Sequence, residues 1–171
     1  IISFQPLTSS ILVKQLMERG IEETTASIVA ELTNQLDEAI QISSDDWFAQ
    51  AQRKVLKLYE AVNQDNLKAL IFLQEEWFNH FKEKEQKDLG LDLLLLIYKD
   101  LLYIQLDKQE EILFKNIQTQ LERYALQYAQ RKLASDMEKI LEAKRRLLSN
   151  TNPQLVLEQL VLNLQEGSSF V

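Results

Sequence analysis

ILEAKRRLLSNTNPQLVLEQLVLNL, residues 140–164, decides the fold class. It reads as two helices joined by a short polar link. Asn150 and Thr151 leave the first helix, Asn152 caps the second, and Pro153 fits its first turn, where a missing N–H costs nothing. Such a joint lets the second helix fold back against the first. The second helix is almost uncharged, and Leu155, Leu157, Leu160, Val161, Leu162 and Leu164 cover more than one of its faces. One face can serve this chain's own core. The excess is expected to serve a partner.

The same reading extends outward. The sequence has 171 residues, 46% hydrophobic and 26% charged, with three Gly and two Pro. So few breakers, and so many Leu, Glu, Gln, Ala and Lys, favour long helices over tight β turns. The fold class is therefore all-α. The absence of Cys excludes disulfides and thiolate metal sites within these residues. The formal charge of −7 makes the chain a poor non-specific binder of nucleic acid. No run reaches the ~20 apolar residues that span a bilayer, and no signal peptide is read at the start. A start at Ile1 without Met reads as a piece of something longer.

Periodicity places the helices. After an extended IISFQPL, in which Pro6 holds Gln5 out of helical space, Thr8 or Ser9 caps a helix carrying Leu12, Val13, Leu16 and Met17. Gly20 ends it. A second helix spans about residues 22–33, with Ala26, Val29, Ala30 and Thr33 on one stripe. A third, within NQLDEAIQI, buries Leu36, Ala39 and Ile40. Residues 1–43 thus form a three-helix domain, and the capping-rich SSDD opens a second domain over 44–171. There a helix over 46–62 carries Trp47, Ala51, Val55, Leu58 and Val62. Another over 66–84 points Leu70, Leu73, Trp77, Phe78 and Phe81 inward, and the polar run KEKEQKDLG separates it from a helix over 91–106. In that helix Leu93 through Tyr98 are apolar on every side, the pattern of a helix surrounded by others. A shorter helical segment follows with Ile112, Leu113, Phe114 and Ile117, then helix over 119–148 with a break near 128–132.

Catalytic motifs find no foothold. Gly20, Gly90 and Gly167 form neither a P-loop nor a dinucleotide fingerprint. His80 stands four residues after Glu76, but a di-iron bundle needs a Glu-x-x-His pair twice and there is one His. Phe72, Trp77, Phe78 and Phe81 read as core packing rather than a cofactor box. For Tyr98, Tyr103, Tyr124 and Tyr128, spacing does not separate core from interface. Lys144, Arg145 and Arg146 could touch phosphates, or complement the dipole at a helix end. Catalytic, cofactor-binding and metal residues are all expected to be none.

Several segments then carry a resemblance. Leu32, Thr33 and Ala39 lie in a stretch similar to AAA+ lid helices. Leu96, Tyr98, Lys99, Asp100, Leu101 and Leu102 resemble a central collar helix, and Asn150, Asn152 and Pro153 a closing helix pair. In this order they resemble the lid and collar of the delta-prime subunits of the bacterial DNA polymerase III clamp loader, Gram-positive type. The paralogous tau/gamma subunits, which close with a similar helix pair, are the nearest alternative. An unrelated helical ligand-binding or protein-interaction domain is the other. The resemblance implies a three-helix lid over 1–43 and a helical collar over 44–171. It implies a non-catalytic part of a replicative loader in the cytoplasm at the replication fork. The family's arginine finger, in a Ser-Arg-Cys motif, would lie before Ile1. Tau/gamma and delta subunits would be partners through the collar. The sliding clamp and primed DNA would be reached only through the assembly, with no membrane, cofactor or small-molecule substrate. Tyr98, Tyr103, Leu157, Val161 and Leu164 are the interface candidates.

Overall fold

The computed structural model describes residues 8–149 and 151–165. The extended start at Gln5–Pro6 and the role given to Asn150 lie outside those residues. Every regular element among them is helical. The chain divides into two compact units. One is the chain up to Gln50 with Leu113–Ile117, and the other is Ala51–Ile112 with the chain from Gln118 onward. This division falls inside a helix, a few residues beyond the SSDD run.

In the first unit, α1 (Ser9–Glu18), α2 (Glu23–Leu32) and α3 (Leu36–Ser43) pack against one another. Leu12 and Leu16 are buried, whereas Val13 is half-buried and Met17 exposed, so the core stripe of α1 is narrower than expected. The helix closes on Gly20, at φ 90°. Gly20 N–H donates to Met17 O at 3.0 Å and Ile21 N–H to Leu16 O at 3.1 Å. That pair of bonds requires a left-handed residue after the helix, which glycine supplies without steric cost. Thr33 does not join the α2 stripe. Its hydroxyl accepts from Gln35 N–H and donates to Glu38, fixing the turn into α3. In α3 only Ala39 is fully buried, with Leu36 and Ile40 half-covered. Lys115 pairs with Glu23 at 2.8 Å.

Helix α4 (Asp46–Val62) starts where Asp45 Oδ1 accepts from Trp47 N–H at 2.9 Å. Phe48 is buried and Trp47 half-buried, the reverse of the expected emphasis. In the second unit α4 buries Ala51, Val55, Leu58, Tyr59 and Val62. The next helix is not uniform. α5 (Asn66–Phe72) passes through a π segment, Leu73–Trp77, into the single turn α6 (Phe78–His80). A π turn inserts one residue into the helical register. The buried set is therefore Ala69, Phe72, Leu73, Trp77 and Phe81, with Leu70 and Phe78 half-covered. An unbroken α register from Ala69 and Phe72 would have aimed Glu76 at the core. The inserted residue leaves it at the rim, bonded to Lys54 at 2.8 Å.

KEKEQKDLG is not a linker. It forms the first turns of α7 (Lys84–Gln105). Gln86 Oε1 reaches back to accept from the backbone N–H groups of Lys82 and Glu83, as the third residue of a capping box does. Gly90 therefore sits inside a helix, where glycine costs about 1 kcal/mol against alanine. Its reason is space. A Cβ there would stand 2.8 Å from Trp77 Cζ2 and 3.1 Å from the Phe81 ring. The Trp77 and Phe81 rings lie 4.2 Å apart and together occupy the place of the missing side chain.

Further along α7, Leu91, Leu93, Leu94, Ile97, Tyr98, Asp100, Leu101 and Ile104 are buried. Leu95, Leu96, Lys99, Leu102 and Tyr103 are half-covered. The helix is thus wrapped on most of its circumference but not all of it. It ends with Asp107 in the left-handed region, φ 57°, and Lys108 N–H donating to Tyr103 O. The segment after it makes two 3-10 turns, Gln109–Glu111 and Lys115–Ile117, instead of the expected helix. Ile112, Leu113 and Phe114 are buried all the same.

Helices α8 (Gln118–Ala125) and α9 (Gln130–Leu148) pack on α7, and α10 (Pro153–Gln165) packs on α9 and α5. The amide of Gln105 holds the α8–α9 break, donating to Ala125 O and Tyr128 O. At the second joint Asn152 Oδ1 accepts from Gln154 N–H at 2.9 Å, with Pro153 as the first helical residue.

Gly90→Ala should lower stability by about 1 kcal/mol. Overpacking costs about 1–3 kcal/mol and outweighs the helix-propensity gain. Equilibrium urea unfolding tests this, and a variant as stable as the parent would show that the Trp77 contact is not tight.

Candidate functional site: the faces of the C-terminal bundle

Four of the five interface candidates are interior. Tyr98, Leu157, Val161 and Leu164 are each at most 3% exposed. Tyr103 is half-covered, with the Lys99 ammonium 5.5 Å from its ring centre. The correction has a simple cause. α10 is flanked by α9 on one side and α5 on the other, so two neighbours consume a wide arc: Val156, Leu157, Leu160, Val161 and Leu164. Sequence periodicity shows how wide an apolar arc is, not how many neighbours share it.

What α10 leaves outside is a narrower stripe. Leu155 is 49% and Leu162 42% exposed, and on α5 Leu67 is 65% and Ile71 44% exposed. Gln74 Nε2 donates to Glu158 Oε1 at 2.9 Å, tying the two helices together. Leu155 and Leu162 flank Glu158 at helical spacing, and Leu67 and Ile71 precede Gln74 at the same spacing. Exposed apolar side chains thus stand on both of these packed helices, Leu67 and Ile71 on α5 and Leu155 and Leu162 on α10. None of them stands out from sequence as an interface residue. Their signal is only that they sit a third of a turn from the buried arc.

The second unit also holds a polar centre. Tyr59 meets Tyr98 and Tyr124 edge-on, with ring centres 5.4 and 5.1 Å apart. Asp136 of α9 is buried beside them, and its Oδ2 accepts from Lys132 at 2.6 Å. The same Lys132 donates to Leu164 O, and Lys139 donates to Asn163 O at 3.0 Å. Two lysines thus donate to carbonyls in the last described turn of α10, where cations suit the helix dipole. Burial raises the Asp136 carboxyl above the usual carboxylate range, against the opposing pull of Lys132 and Lys139. Burial likewise raises the hydroxyls of Tyr59 and Tyr98 above the usual tyrosine range.

The basic run is engaged within the chain. Lys144 pairs with Asp92 of α7 and lies 3.8 Å from Asp88. Arg145 pairs with Glu142, and Arg146 donates to Gln159. Among the described residues, no group of three or more His, Cys, Asp or Glu side chains gathers as a metal site would require. No helix among them is long and apolar enough to cross a membrane.

Because Asp136 holds its proton to higher pH in the folded state, its contribution to stability falls as pH rises through that raised value. The parent should therefore lose stability relative to Asp136→Asn as pH rises from the ordinary aspartate range through that raised value. Urea midpoints of both proteins across that range check it, and a constant difference would contradict the assignment.

Comparison with known proteins adds the context. Residues 74–166 match the family described as DNA polymerase III, delta subunit, C terminal. Over 164 residues, 96% of the chain, the sequence is 40% identical to DNA polymerase III subunit delta' of Bacillus subtilis (strain 168), and it spans about 50% of that protein's length. No solved structure matches it. The match begins within the π segment and runs through α7, α8, α9 and α10, the elements that build the bundle just described. The chain therefore belongs to the family formed by the C-terminal regions of DNA polymerase III delta subunits, and within it to the delta-prime type.

Proposed function

We propose that this chain is a non-catalytic assembly segment of a replicative clamp loader, working through contacts with the other loader subunits. Residues 1–43, with α1, α2 and α3, are read as the lid, and residues 44–171, from α4 through α10, as the collar. Tau/gamma and delta subunits are the partners proposed. The sliding clamp and primed DNA are reached only through the assembled complex, in the cytoplasm.

One observation carries this reading beyond family membership. Leu67, Ile71, Leu155 and Leu162 are large apolar side chains left exposed on α5 and α10, two helices that pack together. Single exposed leucines need no explanation, whereas several on adjoining helices supply apolar surface of the kind a partner covers. A ring of unlike subunits needs such heterologous faces. The half-covered Leu95, Leu96, Leu102 and Tyr103 of α7 offer a second one.

In size-exclusion chromatography the folded chain, mixed with purified tau/gamma and delta, should elute with them. Leu155→Glu/Leu162→Glu should weaken that association by at least about 2 kcal/mol, the scale of an interface hot spot, with unchanged circular dichroism. Separate elution of the folded parent would refute the assembly reading. Unimpaired co-elution of the double variant would refute a contact through Leu155 and Leu162.

A further inference from the structure

Beside the α9–α10 joint lies a cleft that the assembly reading does not use. Lys84, Lys87, Leu147, Ser149, Thr151, Asn152 and Pro153 line a space of about 520 Å³. A second space of about 400 Å³ shares Lys87, Asn152 and Pro153 with it and adds Phe78, Phe81 and Lys82. Among the described residues no acidic side chain lines either space, in a chain of net charge −7. The cause is helical phase. In KEKEQK, Lys84 and Lys87 are three residues apart at the start of α7 and share the face toward the joint. Glu83 and Glu85 fall on other faces and stay out of the lining. Neighbouring lysines behave differently: Lys54 is held by Glu76, and Lys144 by Asp92. Lys82, Lys84 and Lys87 have no side-chain ion pair among the described residues.

From this we infer that the cleft is a docking site for an acidic peptide segment of a partner protein. The lysines carry the site, not the end of α10. The N–H groups of Gln154 and Leu155 are already directed to Asn152 Oδ1, at 2.9 and 3.4 Å. The floor chooses between polyanions. Leu147, Pro153 and Phe78 give apolar contact that alternating acidic and apolar side chains can use and a hydrated phosphate cannot. Stacking of successive bases would need a row of open aromatic faces, and of the two rings here Phe81 is 1% exposed and Phe78 is half-covered. The net negative charge also disfavours an extended polyanion. The second space also reaches Gln74 and Gln154, which both donate to Glu158 of α10; the docking reading does not depend on the assembly reading.

The test is calorimetric titration of the chain with a capped octapeptide of alternating Asp and Leu, with inorganic phosphate and oligo-dT as separate arms. Saturable binding of the peptide is expected. Lys84→Glu/Lys87→Glu should weaken it by about tenfold, two exposed charge contacts of up to about 1 kcal/mol each. Lys14→Glu/Lys108→Glu, which makes the same change of net charge elsewhere, should leave it within about twofold. Circular dichroism of both variants should match the parent. The inference is overturned if the peptide does not saturate, if phosphate or oligo-dT binds as tightly as the peptide, or if the two double variants behave alike.

Discussion

The bundle depends on the contact between Gly90 and the Trp77–Phe81 pair. A residue with no side chain lets two large rings lie directly against α7. That contact anchors the end of the α5–α6 segment, and α5 in turn gives α10 its second neighbour. The π segment belongs to the same arrangement, because the inserted residue turns Trp77 inward and leaves Glu76 at the rim with Lys54. A helix-propensity penalty at one position and a register defect at another are offset by the burial of two aromatic side chains, each about 1.5–3 kcal/mol when fully covered.

Charge follows the packing closely. α9 presents Lys132, Asp136 and Lys139 toward the end of α10, and Lys144 toward Asp92 and Asp88 of α7. One helix is thus fastened to two neighbours by polar contacts at opposite ends, while Leu133, Ile140 and Ala143 supply its apolar contact between them. The carboxyl of Asp136 is disfavoured by burial, yet it is the group that holds Lys132 where it can reach Leu164 O. A buried pair of this kind adds little net stability but specifies which ends meet. The lysines at the start of α7 are arranged differently, facing a cleft with no carboxylate among its described lining residues.

Much of this is legible in the residues. Few breakers and steady 3.6-residue periodicity determine the all-α class, the bounds of α4, the break before α9, the Gly20 terminus and the Asn152–Pro153 joint. All of these are set by local chemistry, by backbone conformation and capping within a few positions. KEKEQKDLG reads as a linker, wrongly, because polar residues beside a glycine look alike in a loop and on an exposed helical face.

Interface residues are the least legible, for a geometric reason. A sequence records which side chains are apolar, and so determined that α10 has more greasy surface than one neighbour could cover. Only the tertiary structure decided that it has two neighbours. Leu157, Val161 and Leu164 therefore went inward, and Leu155 and Leu162 remained at the surface. Helix phase is local, but the number of elements sharing a face depends on contacts between residues far apart in the chain.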